Sequence, residues 1–191
     1  MELVLLLLSH NAPLEREGTC CLRKRMRCRE MYSWRITKYN PAKRNESGHY
    51  TDLDEWTCFS EIGKKLTMDE YLDIEKRYID AIMIVMDEMN IDSLFIESLE
   101  LYPEEITVQD AREFISKLWV GKKINKLEIQ GIAQLTLRNA VWCKLRLRNR
   151  FFVHFGYDYY MFIGVSDSCS KALEKIKSIG LYVEDYDSPY L

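Results

Sequence analysis

Three runs of strand-forming residues follow one another in the last third of the chain, and they constrain the fold more than any other feature of the sequence. The runs cover residues 141–150, 151–155 and 159–165 and are rich in β-branched and aromatic side chains. Gly156, Tyr157 and Asp158 separate the last two runs as a turn. Connections this short join antiparallel neighbours, so the sequence predicts an antiparallel meander.

Helix signals lie between the predicted strands. The segment from Thr67 to Glu70 is a capping box, and apolar residues then recur at three- and four-residue spacing for about six turns. Three more helices are predicted. The first begins at residues 107–110 and ends at Gly121, and the second begins with a capping box at 125–128 and ends at about Asn139. The third is capped by residues 166–168 and ends at Gly180. Further strands are predicted at 33–39, near 56–62, at 91–99 and at 181–183.

This order of elements predicts the fold class. Helices laid on one face of an antiparallel sheet give an α+β fold, and the 161 residues from 31 to 191 make one domain of that class. A content of 47% hydrophobic and 30% charged residues excludes disordered and low-complexity chains. The longest apolar run, residues 3–8, is far shorter than the roughly 18 residues that a membrane-spanning helix needs.

Residues 1–30 differ in composition from the rest of the chain. They carry six basic and four acidic residues, whereas residues 31–191 carry 21 basic and 26 acidic residues. The segment contains no aromatic residue, and its positive charges follow the apolar run, which is the wrong order for a secretory signal. We therefore expect a disordered or non-native extension, with Met31 as the genuine start, and a functional unit of 31–191 in the cytoplasm.

The familiar motifs of catalysis are missing from the sequence. It contains no GxGxxG, GxxxxGK[ST], HExxH or GxSxG spacing. Cys58, Cys143 and Cys169 lack the spacing of a metal site and are expected to be free thiols, so neither a metal nor a cofactor is predicted. His154 lies in an apolar strand and is expected to be a packing residue. We therefore expect that the protein is not an enzyme. The alternative is a small hydrolase, in which His154, Asp158 and a cysteine would lie within hydrogen-bond reach in one pocket.

A cationic pattern suggests a nucleic-acid-binding alternative. Lys144, Arg146, Arg148 and Arg150 alternate along a predicted strand, so they would project from one face as a stripe beside aromatic residues. Such a face could bind RNA or a nucleotide, or it could be an ordinary solvated strand face. The net charge of residues 31–191 is negative, which disfavours nucleic acid.

Acidic residues interleaved with aromatic residues indicate a protein partner instead. Rim charges speed the encounter with a basic protein, and aromatic side chains anchor it once bound. The candidate partner-binding residues are Asp54, Glu55, Trp56, Glu104, Glu105, Tyr157, Asp158 and Tyr159.

Several short segments also carry a family resemblance. They are residues 34–41, 54–57, 60–63, 70–72 and 154–161. With these segments the chain, from about residue 31 to 186, resembles small cytosolic bacterial proteins of the polymorphic-toxin immunity type. The resemblance implies a compact α+β domain that occludes the active site of a toxin, and it implies no catalytic residue.

Overall fold

The strands predicted in the last third of the chain occupy the centre of a seven-stranded antiparallel sheet. The structure is a computed structural model that describes residues 31–102, 104 and 109–191. The strand order is β3-β2-β4-β5-β6-β1-β7, in which β4, β5 and β6 are consecutive neighbours, so the predicted meander is confirmed. The predictions for residues 1–30 lie outside the described residues.

Four helices of the described chain connect strands of the sheet, and β4, β5 and β6 follow one another without a helix between them. The strands are β1 (Tyr32–Thr37), β2 (Ser93–Leu101), β3 (Lys123–Asn125), β4 (Val141–Leu147), β5 (Phe151–Phe155), β6 (Met161–Val165) and β7 (Tyr182–Asp185). The helices are α1 (Met68–Glu88), α2 (Gln109–Ser116), α3 (Lys126–Leu137) and α4 (Ser170–Ser178), and short 3-10 helices form at Pro41–Lys43 and Phe59–Glu61. The described residues thus form a single α+β domain, as predicted for residues 31–191.

The helices pack on one face of the sheet, where alternate strand residues form the core. Phe151, Val153 and Phe155 of β5 point to this face and are buried with side chains of the helices, including Tyr78 and Ile82 of α1. Because successive strand residues point to opposite faces, Phe152 and His154 belong to the other face. We call that other side of the sheet the second face.

The C-terminal residues 186–191 cover part of the second face. The Lys144 ammonium donates a hydrogen bond to the carbonyl of Tyr190 (2.7 Å), and the Tyr190 ring contacts the rings of Trp142 and Phe162. His154 Nδ1 lies 2.8 Å from the hydroxyl oxygen of Ser188. His154 is completely buried, so the second face has a small core of its own.

Capping residues set the starts of α1 and α3 as the sequence predicts. Thr67 and Asn125 each accept a hydrogen bond from a backbone N–H three residues later, and the carboxylates of Glu70 and Glu128 accept one from the backbone N–H of the capping residue. The cap predicted for α4 at 166–168 is wrong, because the Ser166 hydroxyl bonds Asp167 and Cys169 occupies the capping position. For α2, the predicted start at Thr107 lies outside the described residues.

The strand predicted near 56–62 is also wrong. The Glu61 carboxylate accepts hydrogen bonds from the backbone N–H groups of Thr57 (2.6 Å) and Cys58 (3.2 Å), and these bonds together with the ion pair to Lys65 lower the pKa of Glu61 to about 2. They bend the chain into the 3-10 helix Phe59–Glu61. The short edge strand β3 was not predicted, because its three residues are too few to show an alternating pattern.

Close packing on the second face leaves no room for a side chain at Gly164. A Cβ atom at this position would lie 1.9 Å from the ring of Phe152, which is fully buried. We expect Gly164→Ala to lower the free energy of unfolding by about 1–3 kcal/mol, as overpacking does, measured by denaturant titration. Adding Phe152→Leu to Gly164→Ala should recover part of the loss. If the double variant were less stable by the full sum of the two single effects, the clash would not be the cause.

The buried His154 predicts a pH dependence of stability. Burial, together with the charges of Lys144 and Arg146, lowers the pKa of His154 to about 3, whereas in the unfolded chain it is near 6.5. The unfolded state therefore binds the proton first, and stability is lost as the pH falls below 6.5. The free energy of unfolding should be about 2 kcal/mol lower at pH 5 than at pH 8, and His154→Gln should remove most of this difference. Equal stability of the wild type at both pH values would contradict the prediction.

Candidate functional site

The turn between β5 and β6 is the one place in the described chain where two consecutive non-glycine residues have positive φ angles. Asp158 and Tyr159 are both left-handed, with φ of 53° and 60°. Two backbone hydrogen bonds close the turn, from Gly156 N–H to Tyr160 O (2.7 Å) and from Tyr160 N–H to Tyr157 O (3.1 Å). A left-handed conformation suits Asp but costs about 1 kcal/mol or more for Tyr, and such strain is concentrated at functional sites.

A buried aromatic cluster holds Tyr159 in this conformation. Its ring packs on Trp56, Tyr71 and Tyr78, its hydroxyl donates to the carbonyl of Leu137 (2.8 Å), and its own carbonyl accepts from the Tyr78 hydroxyl (2.5 Å). Burial raises the pKa of Tyr159 above its ordinary value. The helices α1 and α3 therefore fix the turn from behind.

The aromatic cluster corrects two predicted partner-binding residues. Trp56 is 8% exposed and Tyr159 is 7% exposed, so neither is an exposed surface residue. Trp56 was predicted as a surface residue because acidic residues precede it in the sequence, and Tyr159 because it adjoins Tyr157 and Asp158. Their function in the structure is to support the turn and the loop that packs on it.

The Lys38 side chain holds the loop that carries Trp56 in place. Its ammonium lies 3.9 Å from the centre of the Trp56 ring and 4.2 Å from that of Tyr39, and it donates to the Trp56 carbonyl (2.6 Å). Burial lowers the pKa of Lys38, and the ion pair with Glu55 opposes that shift. Glu55 thus forms an ion pair with Lys38 while its side chain stays 29% exposed, whereas Asp54 is exposed and forms no ion pair with a described residue.

A cleft of about 570 Å³ opens beside the turn at this end of the sheet. Its walls come from the end of β2, the start of β4, the end of α3 and the whole turn from Gly156 to Tyr160. Leu137, Val141, Phe155 and Met161 give it an apolar floor. The Trp142 indole N–H donates to the Phe155 carbonyl (2.8 Å), which fixes this ring in the wall. Its volume is in the range of ligand-binding pockets.

The mouth of the cleft is aromatic and acidic. Tyr157 is 83% exposed, and Tyr102 is 42% exposed. The Tyr102 hydroxyl donates to Glu100 (3.1 Å), and burial together with this bond raises the pKa of Tyr102. Among the described residues that line the cleft, Glu104 and Asp158 are acidic and none is basic.

The cleft brings some of the predicted partner-binding residues together and not others. Glu104, Tyr157 and Asp158 line it, and Tyr159 forms its inner wall. Asp54, Glu55 and Trp56 are not among the residues that line it, and Glu105 lies outside the described residues. The prediction missed Trp142, because nothing in the sequence shows that this end of β4 meets the turn.

The predicted cationic stripe is wrong as a group of four residues. Strand β4 ends at Leu147, Arg148 has a φ of 43° in the turn that follows, and Arg150 donates to the carbonyl of Met89 (3.2 Å). Only Lys144 and Arg146 share the second face, and both are engaged there. Lys144 binds the Tyr190 carbonyl, and Arg146 Nε lies 2.6 Å from Glu97.

The residues named for a hydrolase do not converge. His154 contacts Ser188 and stacks on Phe152 at the second face, with Nε2 3.8 Å from a Glu97 oxygen, whereas Asp158 and Cys58 line the cleft. Burial raises the pKa of Cys143 to about 12 and that of Cys169 to about 11. These two thiols are therefore poor nucleophiles.

Comparisons with known proteins leave the site to be interpreted from its own geometry. No protein-family model, no curated protein and no solved structure matches the chain. None of the helices in the described ranges combines the length and the apolar character needed to cross a bilayer. Within the same ranges, no three His, Cys, Asp or Glu side chains are grouped so that they could hold a metal ion.

The anchoring of Tyr159 can be tested by removing one oxygen atom. Tyr159→Phe leaves the Leu137 carbonyl without this donor, so the free energy of unfolding should fall by about 1–2 kcal/mol in denaturant titration. Tyr157→Phe is the matched control, since Tyr157 is exposed, and it should change stability by less than about 0.5 kcal/mol. Similar values for the two variants would contradict the anchoring role.

Proposed function

We propose that this protein is a non-enzymatic protein-binding domain of the cytoplasm, an immunity protein that neutralises a toxin by covering it. The contact surface in this proposal is the cleft with its mouth at Tyr102, Glu104, Tyr157 and Asp158. The observation that carries the proposal is the strained turn at residues 156–160, which presents an exposed tyrosine and a carboxylate on a rigid base.

The chemistry of the mouth favours a macromolecular partner with a basic surface. Exposed tyrosine rings supply a large contact area at a small cost in side-chain entropy, and tyrosine is among the residues that dominate binding energy at interfaces. Carboxylates at a rim favour a basic partner and speed its association. The apolar floor can receive one anchoring side chain together with the residues beside it.

The same residues offer little to catalysis. The described lining of the cleft has no histidine or lysine to form an acid–base pair with its carboxylates and no lysine or arginine to stabilise an oxyanion, and its thiol, Cys58, contacts the Ser60 hydroxyl (2.9 Å). Binding without turnover is therefore the function that this arrangement supports best.

Stoichiometry tests the proposal. The protein encoded next to this chain's gene is the first toxin candidate, and it should arrest growth when it is expressed alone. Neutralisation should be complete only at one molecule of this protein per toxin molecule, and the two should co-elute as a complex. Neutralisation by a small fraction of an equivalent, or turnover of a small molecule, would overturn the proposal, as would failure to bind the toxin.

Variants of the cleft locate the contact surface. Tyr157→Ala should weaken binding of the toxin by about tenfold or more, because an aromatic anchor at the mouth is lost. Tyr182→Ala is the matched control, since this tyrosine is exposed on the edge strand β7, and it should change the Kd by less than about twofold. Equal weakening by both variants would place the contact elsewhere.

A further inference from the structure

We propose that the cleft receives an arginine side chain of the partner, with the guanidinium between the tyrosine rings of the mouth and the carboxylates of Asp158 and Glu104. This inference rests on the proposed function and adds the chemistry of the anchoring group.

The first step is the charge of the cleft. Its described lining carries two carboxylates and no cation, and neither Glu104 nor Asp158 forms an ion pair with a described residue. Several acidic side chains elsewhere are neutralised within the fold: Glu55 pairs with Lys38, Glu97 with Arg146, and Glu184 with Arg35. The mouth of the cleft therefore carries negative charge that a partner can complement.

The second step is the aromatic character of the mouth. The face of an aromatic ring attracts a cation, and the attraction grows as water is excluded. Tyr102, Tyr157 and Trp142 supply three such rings in one cleft. An anchor that is both cationic and stacked satisfies the rings and the carboxylates together, whereas a neutral apolar anchor would leave the carboxylates without a partner.

The third step is a precedent within the same fold. Arg35 lies 4.3 Å from the centre of the Tyr186 ring and 5.2 Å from that of Tyr160. Its guanidinium also donates two hydrogen bonds to Glu184, at 3.0 and 2.9 Å. The chain thus already binds one of its own arginines between two tyrosines and a carboxylate, which is the arrangement inferred for the cleft.

The fourth step distinguishes arginine from lysine. A planar guanidinium stacks on tyrosine and donates bidentately to a carboxylate, while an ammonium is a compact and strongly hydrated charge. The left-handed turn also fixes the backbone of Asp158 before binding, which lowers the entropy cost of engaging a group of defined shape. The cleft, at about 570 Å³, has room for residues that flank the arginine.

The test uses the full chain and single-residue probes. N-acetyl-arginine amide and its uncharged analogue N-acetyl-citrulline amide are titrated while the backbone amide NMR signals of residues 156–160 are followed. We expect arginine to bind at least about tenfold more tightly than citrulline and more tightly than N-acetyl-lysine amide, with shifts concentrated at the turn. Equal affinity for arginine and citrulline, or shifts that are absent from the turn, would overturn the inference.

Asp158→Asn supplies the matched variant. Asn tolerates the left-handed conformation as well as Asp does, so the turn is kept while its charge is removed. The preference for arginine over citrulline should fall by about fivefold or more. Asp185→Asn, on the exposed edge strand β7, is the control and should leave the preference unchanged. An unchanged preference in Asp158→Asn would overturn the assignment of that carboxylate.

A further experiment separates failure of the arginine inference from failure of the proposed function. In a complex with a neutralised toxin, each arginine of the toxin interface is changed to alanine and combined with Asp158→Asn. The inference requires one arginine whose effect on the Kd drops by at least about fivefold in the Asp158→Asn background. If the toxin binds at the cleft but no arginine is coupled to Asp158, the arginine anchor is wrong and the binding function stands.

Discussion

The burial of Tyr159 in a left-handed conformation is the constraint on which the site depends. Its ring and hydroxyl lie among side chains and backbone of α1, α3 and the loop at Trp56, so several elements support the turn together. Burial of an aromatic ring stabilises by roughly 2–3 kcal/mol, which exceeds the strain of the backbone. The turn therefore holds Tyr157 and Asp158 outward without any ligand.

The charged side chains of the second face are neutralised within the fold, whereas those at the mouth of the cleft are not. On the second face, the cations of β4 are neutralised inside the fold, since Lys144 binds the Tyr190 carbonyl and Arg146 pairs with Glu97. At the cleft, Glu104 and Asp158 remain available to a partner. This contrast favours an interaction with a basic protein over the binding of nucleic acid on the second face.

Local signals in the sequence predict the elements well where a few adjacent residues decide them. The capping boxes at Thr67 and Asn125 and the meander of β4 to β6 depend on neighbouring side chains, and they appear where predicted. The burial of Trp56 and Tyr159 depends on contacts with α1, which are distant in the chain. The residues next to them in the sequence, Asp54 and Glu55 for Trp56 and Asp158 for Tyr159, therefore gave no sign of this burial. The cationic stripe failed for a related reason, because β4 ends at Leu147 and turns before Arg148.

The claim that this protein acts by presenting the cleft is tested most directly by amide hydrogen exchange of the protein alone and in complex with the toxin that it neutralises. The account predicts that binding slows exchange at residues 156–160 and at the end of β2, while β7 and the C-terminal residues 186–191 exchange as before. Protection confined to β7, or to the second face after displacement of residues 186–191, would contradict it.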